Sequence, residues 1–141
     1  MSQQIIIDIY DYNVMEYLDF LSQTRLLATC HLFRDNLTIT DMYNIEEKYL
    51  ALLTQEIILK YPYLKKLNVA NNMKISNVNH LKDLEILDAN YDIIAKKFST
   101  EQLKFLIQNK KNYGIKDSSI KECTKLKWLD VSYNPEITKI G

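Results

Sequence analysis

The stretch LKWLDVSYNPEITKI, residues 126–140, has a near-copy 62 positions earlier in LKKLNVANNMKISNV, residues 64–78. Both carry Leu at position one, Lys at two, Leu at four, Val at six, Asn at nine and Ile at twelve. Leu-x-x-Leu-x-Val lines up apolar side chains on one face of a short strand, because strand side chains alternate. The Asn then suits a turn. Its amide both donates and accepts, so once buried it satisfies turn backbone groups that no neighbouring strand reaches. The Ile returns an apolar side chain to the same core. One such unit cannot cover its own apolar face, so copies have to stack.

Weaker copies stand between these two. Leu84-Glu-Ile-Leu87-Asp-Ala89 begins 20 residues after Leu64, with Asp92 in the Asn slot. Leu103-Lys-Phe-Leu106 begins 19 further on, with Gln108 in the Val slot and Lys111 in the Asn slot, and 23 residues then lead to Leu126. These spacings lie near the roughly 20–29 of leucine-rich repeats, which residues 63–141 resemble. The fold class expected is α/β: an N-terminal α-helical block capping a short leucine-rich-repeat solenoid with about four parallel strands, near 64–70, 84–90, 103–108 and 126–131. Leu64, Leu67, Val69, Leu81, Leu84, Leu87, Leu103, Leu106, Leu126, Leu129 and Val131 form the expected core. The segment through the degenerate third copy reads either as loose or as a longer repeat with a helical side around Ser118–Cys123.

The first 60 residues follow a helical period. Val14, Tyr17, Leu18 and Leu21 recur at three and four, as do Leu26, Leu27, Cys30 and Phe33. Ser22 between them is placed to cap a second helix. A linker is expected through Asn36–Thr40. After Asp41, the residues Ile45, Tyr49, Leu52, Leu53 and Ile57 mark one longer amphipathic helix that Pro62 ends. The organisation expected is thus a helical segment over 1–40, a linker and capping helix over 41–62, and repeats over 63–141.

Leu18…Cys30-His-Leu-Phe33-Arg34…Leu37 resembles the F-box, a module that docks on a Skp-type adaptor of cullin–RING ubiquitin ligases. The resemblance runs from about residue 7 to 37. It departs from the family in lacking a Leu-Pro opening and in having Gln23-Thr24 where the family prefers Leu-Leu. It implies adaptor contacts by Val14, Met15, Leu18, Leu26, Phe33 and Arg34. F-box followed by leucine-rich repeats is a pairing found in giant DNA viruses, and the wealth of Lys, Asn, Ile and Tyr, 55 of 141 residues, is similar in texture. The plain alternative is that the helical block only covers the end of the array.

Composition narrows the function. Apolar residues make up 47%, a globular proportion. No run approaches the ~20 apolar residues of a membrane span, and MSQQIIIDIYDY lacks the basic start of a signal peptide. Cys30 and Cys123, 93 positions apart with no CxxC, read as buried reduced thiols of a cytoplasmic protein, the host cytoplasm if viral. The net charge of zero conceals −6 over residues 1–59 and +6 over 60–141. Two glycines exclude a phosphate-cradling loop, His31 and His80 lie in unlike contexts, and no carboxylate pair is fixed by the pattern. No enzyme activity, cofactor or metal is expected. The Lys residues are spread along the array and Arg is absent after position 34, so nucleic acid is not an expected partner either.

What remains is protein–protein interaction, with two forms. In one, the N-terminal block recruits a ligase adaptor while the repeats hold a target; in the other, the chain is a stand-alone repeat scaffold. Positions three and five of each strand point away from the core onto the concave face. They give Lys66, Ile86, Phe105 and Trp128, then Asn68, Asp88, Ile107 and Asp130. Ile86, Phe105, Ile107 and Trp128 would make an exposed apolar stripe flanked by Asp88 and Asp130, unless the third copy is out of register and turns Phe105 and Ile107 inward. The sequence stops at Ile140-Gly141, a strand and turn into its last copy, so self-association through that apolar end is a further expectation.

Overall fold

The computed structural model describes residues 14–109 and 114–138. The start of the F-box-like span, Lys111 in the Asn slot, the terminal Ile140 and the side chain of Ile107 lie outside the described residues.

Four short strands, β1 (Asp41–Met42), β2 (Lys66–Asn68), β3 (Ile86–Asp88) and β4 (Trp128–Asp130), form one all-parallel sheet in chain order. Met42, Leu67, Leu87 and Leu129 stand in register across it. The ladder repeats itself bond for bond: Lys65, Glu85 and Lys127 each donate a backbone N–H to Thr40, Lys65 and Glu85 at 2.8 Å. It also runs past the strand ends, where Val69 and Ala89 donate to Asp88 and Asp130 at 2.7 Å. Behind the sheet, Leu64, Leu67, Val69, Ile75, Val78, Leu81, Leu84, Leu87 and Ala89 are wholly buried. Each such Leu, taken fully out of water, contributes roughly 1.5–3 kcal/mol. Leu106, Leu126, Leu129 and Val131, expected in the core, are only half-buried, and of the two thiols expected to be buried Cys123 is and Cys30 is exposed.

The two Asn-bearing turns are alike in detail. Asn72 Nδ2 donates to the carbonyls of Leu50 and Leu53 at 2.8 and 3.0 Å, and its Oδ1 accepts the Lys74 N–H. Asn134 Nδ2 donates to Ile115 at 3.0 Å, and its Oδ1 accepts the Glu136 N–H. The residue before each is left-handed, Asn71 at φ 56 and Tyr133 at φ 61. Asn tolerates that region; a Tyr there is strained. The middle copy turns differently. Tyr91 keeps a negative φ of −123 and is fully buried, its hydroxyl accepting the Ile115 N–H, and Asp92 starts a helix.

Helices fill the connections. α1 (Phe20–Leu27) and α2 (His31–Asn36) precede β1, and α3 (Glu47–Leu50) and α4 (Gln55–Ile58) link β1 to β2. α5 (Asp92–Ala95), α6 (Thr100–Asn109) and a 3-10 turn at Asp117–Ser119 link β3 to β4. Among the described residues no helix is long and apolar enough to cross a membrane.

Three expectations are corrected. The strand expected at 103–108 is helix α6. Leu103-x-x-Leu106 fits a helical period as well as a strand, and Ser99 and Gln102 exchange reciprocal bonds, Ser99 N–H to Gln102 Oε1 at 2.8 Å and Gln102 N–H to Ser99 Oγ at 3.2 Å, which start the helix. The single helix expected after Asp41 is strand β1 followed by two short helices. Ile39-x-x-Met42 spaces two core residues as Leu64-x-x-Leu67 does, and Thr54 Oγ1 accepts the Ile57 N–H to begin α4 anew. Ser22 is not a cap but lies within α1; Asp19 Oδ1 accepts the Ser22 N–H at 2.8 Å.

Candidate interaction surface

The face of the sheet opposite the core is built by strand alternation. Around buried Leu67 and Leu87, the flanking Lys66, Asn68, Ile86 and Asp88 point the other way and are half-buried. Trp128 and Asp130 continue the rows on β4, with Trp128 44% exposed. Asp41, in register with Lys66, supplies the row on β1, and Tyr43 follows it. Six of the eight side chains expected on this face are therefore together. Phe105 is not among them: it belongs to α6, the helix that also contains residue Ile107, and is 65% exposed beside Phe98 and Leu106. The continuous apolar stripe does not form.

Tyr43 takes part instead, and its ring meets Trp128 edge-to-face with centroids 5.9 Å apart. Three strand spacings, roughly 14 Å in a flat sheet, separate β1 from β4. The two side chains thus arch toward one another across the rows of β2 and β3. Burial, with the carboxylates of Asp88 and Asp130 nearby, pushes the Tyr43 hydroxyl pKa up. Sequence reasoning missed this contact because Tyr43 fell inside an expected helix. The signal that could have placed it was Ile39-x-x-Met42, which spaces two core residues as Leu64-x-x-Leu67 does.

Charge on the face is uneven. Lys66 Nζ pairs with the buried Asp41 at 3.3 Å. Asp88 and Asp130 stand directly opposite one another on β3 and β4. Each closes its own turn, Asp88 Oδ1 accepting the Asn90 N–H at 3.2 Å and its amide Nδ2 at 2.7 Å, Asp130 Oδ1 accepting the Ser132 N–H at 2.9 Å. Burial chiefly, and then the Asp130 charge, raise the Asp88 pKa against the lowering bonds from Asn90.

The residues expected to meet an adaptor are placed unevenly. Met15 is fully buried, Val14, Leu18, Leu26 and Phe33 are half-buried, and Arg34 is exposed next to His31 and Asp35. Gln23, where the F-box family prefers Leu, is fully buried and knits the segment to the sheet. Its Nε2 donates to the Met15 and Leu18 carbonyls at 2.8 and 2.9 Å and to Thr40 Oγ1 at 3.2 Å, while Oε1 accepts the Thr40 N–H at 2.9 Å. Phe20 and Leu27 of α1 pack on the main core, and Tyr17 and Leu21 face outward, 80% and 50% exposed.

Among the described residues no group of three or more His, Cys, Asp or Glu side chains could hold a metal ion. Compared with family models, curated proteins and solved structures, the chain matches none of them.

Proposed function

We propose that the chain is a non-enzymatic protein–protein interaction module: a short leucine-rich-repeat solenoid whose concave face holds a partner and whose N-terminal helices cap the first repeat. The observation that carries this reading is the Tyr43–Trp128 pair, two large side chains brought together over the sheet face with Trp128 left 44% exposed. Aromatic side chains of this kind concentrate binding energy at interfaces. The burial of Met15 and Gln23 and the bonds from Gln23 to Thr40 support the capping role. The cytoplasm is the proposed location.

Trp128 is the one Trp of the chain and reports on the face directly. Its emission is expected to be red-shifted and quenched by acrylamide, and protected when a partner binds. A blue-shifted emission immune to acrylamide in the monomer would sink the reading.

A second reading keeps the F-box-like role, the same helices recruiting a Skp-type adaptor of a ubiquitin ligase. The exposure of Tyr17, Leu21 and Arg34 on their outer side favours it. Pull-down with such an adaptor tests it, with Leu21→Asp as the disrupting variant because that side chain is already in water. Retention by the variant as strong as by the parent chain ends this reading. Self-association through the β4 side is also proposed, on the half-burial of Leu126, Leu129, Val131 and Ile137; a monomer in sedimentation at high concentration would remove it.

A further inference from the structure

Opposite charges pair on the segments that lead into β3 and β4. Glu85 accepts from Lys127 at 2.7 Å, Asp83 from Lys125 at 2.5 Å, and Lys82 reaches Glu122 at 3.4 Å. On the concave face, Asp88 instead stands opposite Asp130. Like charges directly opposite on neighbouring strands destabilise a sheet. Neither carboxylate has an ion-pair partner among the described residues, and the nearby cation Lys66 is engaged by Asp41. Above the two carboxylates sits the aromatic pair. An edge-to-face contact occupies at most one face of the indole, and an open aromatic face attracts a cation.

We infer that the concave face receives a basic segment of a partner protein, a lysine or arginine side chain lying against Trp128 between the carboxylates of Asp88 and Asp130. The inference rests on the reading of this face as the interaction surface and names the chemistry of what occupies it. A cation there relieves the Asp88–Asp130 repulsion, which nothing in the described residues does, and gains the ring face of Trp128. The raised Asp88 pKa agrees: the carboxylate is held charged at a cost to the free protein. An acidic or purely apolar segment gains none of this. Lys66 does not repel the incoming cation as a free charge would, because Asp41 neutralises it at 3.3 Å.

The test selects binders for the full chain from a displayed library of random dodecapeptides. The peptides recovered are then measured against three proteins: the parent, Asp88→Asn with Asp130→Asn, and Trp128→Ala, each checked by circular dichroism. The Asn side chains keep the oxygen that accepts the turn N–H groups, so the double variant removes charge without removing the turns. Recovered peptides are expected to carry Lys or Arg, and to bind the double variant about tenfold or more weakly, with affinity falling as salt rises. Peptides without basic residues whose binding is lost in Trp128→Ala would overturn the inference and leave the face reading intact. Peptides that bind all three proteins equally, or no recovered binder at all, would overturn both.

Discussion

The two flanks of the sheet differ more than the two sequence copies that bracket its core. On the β1 flank, Gln23 satisfies the Thr40 backbone, Met15 is wholly buried, and Phe20 and Leu27 close over the core. On the β4 flank, Leu126, Leu129 and Val131 are half-buried where their counterparts Leu64, Leu67 and Val69 are wholly buried. The chemistry at these positions is the same in both copies. What differs is the neighbour, since a strand in a stacked array buries its apolar side chains only when something lies on either side. Position in the sheet, and not residue type, therefore sets what each Leu contributes.

The sharpest way to break that comparison is to truncate one Leu in each copy. Leu67→Ala should cost about 2–5 kcal/mol, the range for a buried Leu that leaves a cavity, whereas Leu129→Ala should cost roughly 1 kcal/mol because that site already touches water. Urea denaturation of both variants decides; equal losses would mean that the β4 flank is as well covered as the centre. Next come the turn amides. Asn72→Ala strands the Leu50 and Leu53 carbonyls and the Lys74 N–H and should cost about 3 kcal/mol, and Asn134→Ala, which strands the Ile115 carbonyl and the Glu136 N–H, about 2 kcal/mol. Thermal melts of the pair would show the order, and a reversal would contradict the burial gradient.

Gln23→Glu probes the β1 flank with almost no change of shape. The carboxylate keeps the bond from Thr40 N–H but cannot donate to the Met15 and Leu18 carbonyls, at a cost of about 2 kcal/mol. A carboxyl group facing carbonyl oxygens favours its protonated form, so its folded pKa lies above the unfolded value. The deficit is therefore full at neutral pH and shrinks as pH falls toward about 4.3. Denaturation midpoints against pH measure this; a deficit that does not vary with pH would mean the amide is not donating. The smallest effect is expected on the sheet face opposite the core. The Asp88 pKa is raised above 3.8, so its charged form burdens the folded state at neutral pH, and that burden is gone once pH drops below the unfolded value. Asp88→Asn should thus stabilise the free protein by no more than about 0.5 kcal/mol at neutral pH and by nothing in acid, read as a shift in denaturation midpoint. A loss of stability at neutral pH would show that the charge is needed for the fold itself.

Much of the sheet was legible from the chain. The two clear copies placed β2 and β4, alternation in them and in the weaker copy from Leu84 placed Lys66, Asn68, Asp88 and Asp130 on one face, and the Asn at position nine announced a buried turn amide. The errors share a cause. Leu103-x-x-Leu106 satisfies both the strand motif and a helical period, and Ile39-x-x-Met42 was passed over beside stronger helical signals. Where a short apolar pattern fits two periods, flanking polar residues decide, and here Ser99 and Gln102 carried the information. Local pattern in the sequence determined which faces of the strands are apolar and where turns need an amide, because those demands act within a dozen residues. Only the tertiary structure decided that β1 completes the sheet, that Gln23 ties the helices to it, and that Tyr43 reaches Trp128. Each of these joins residues from 17 to more than 80 positions apart, and such partners are chosen by packing rather than by any pattern either residue carries alone.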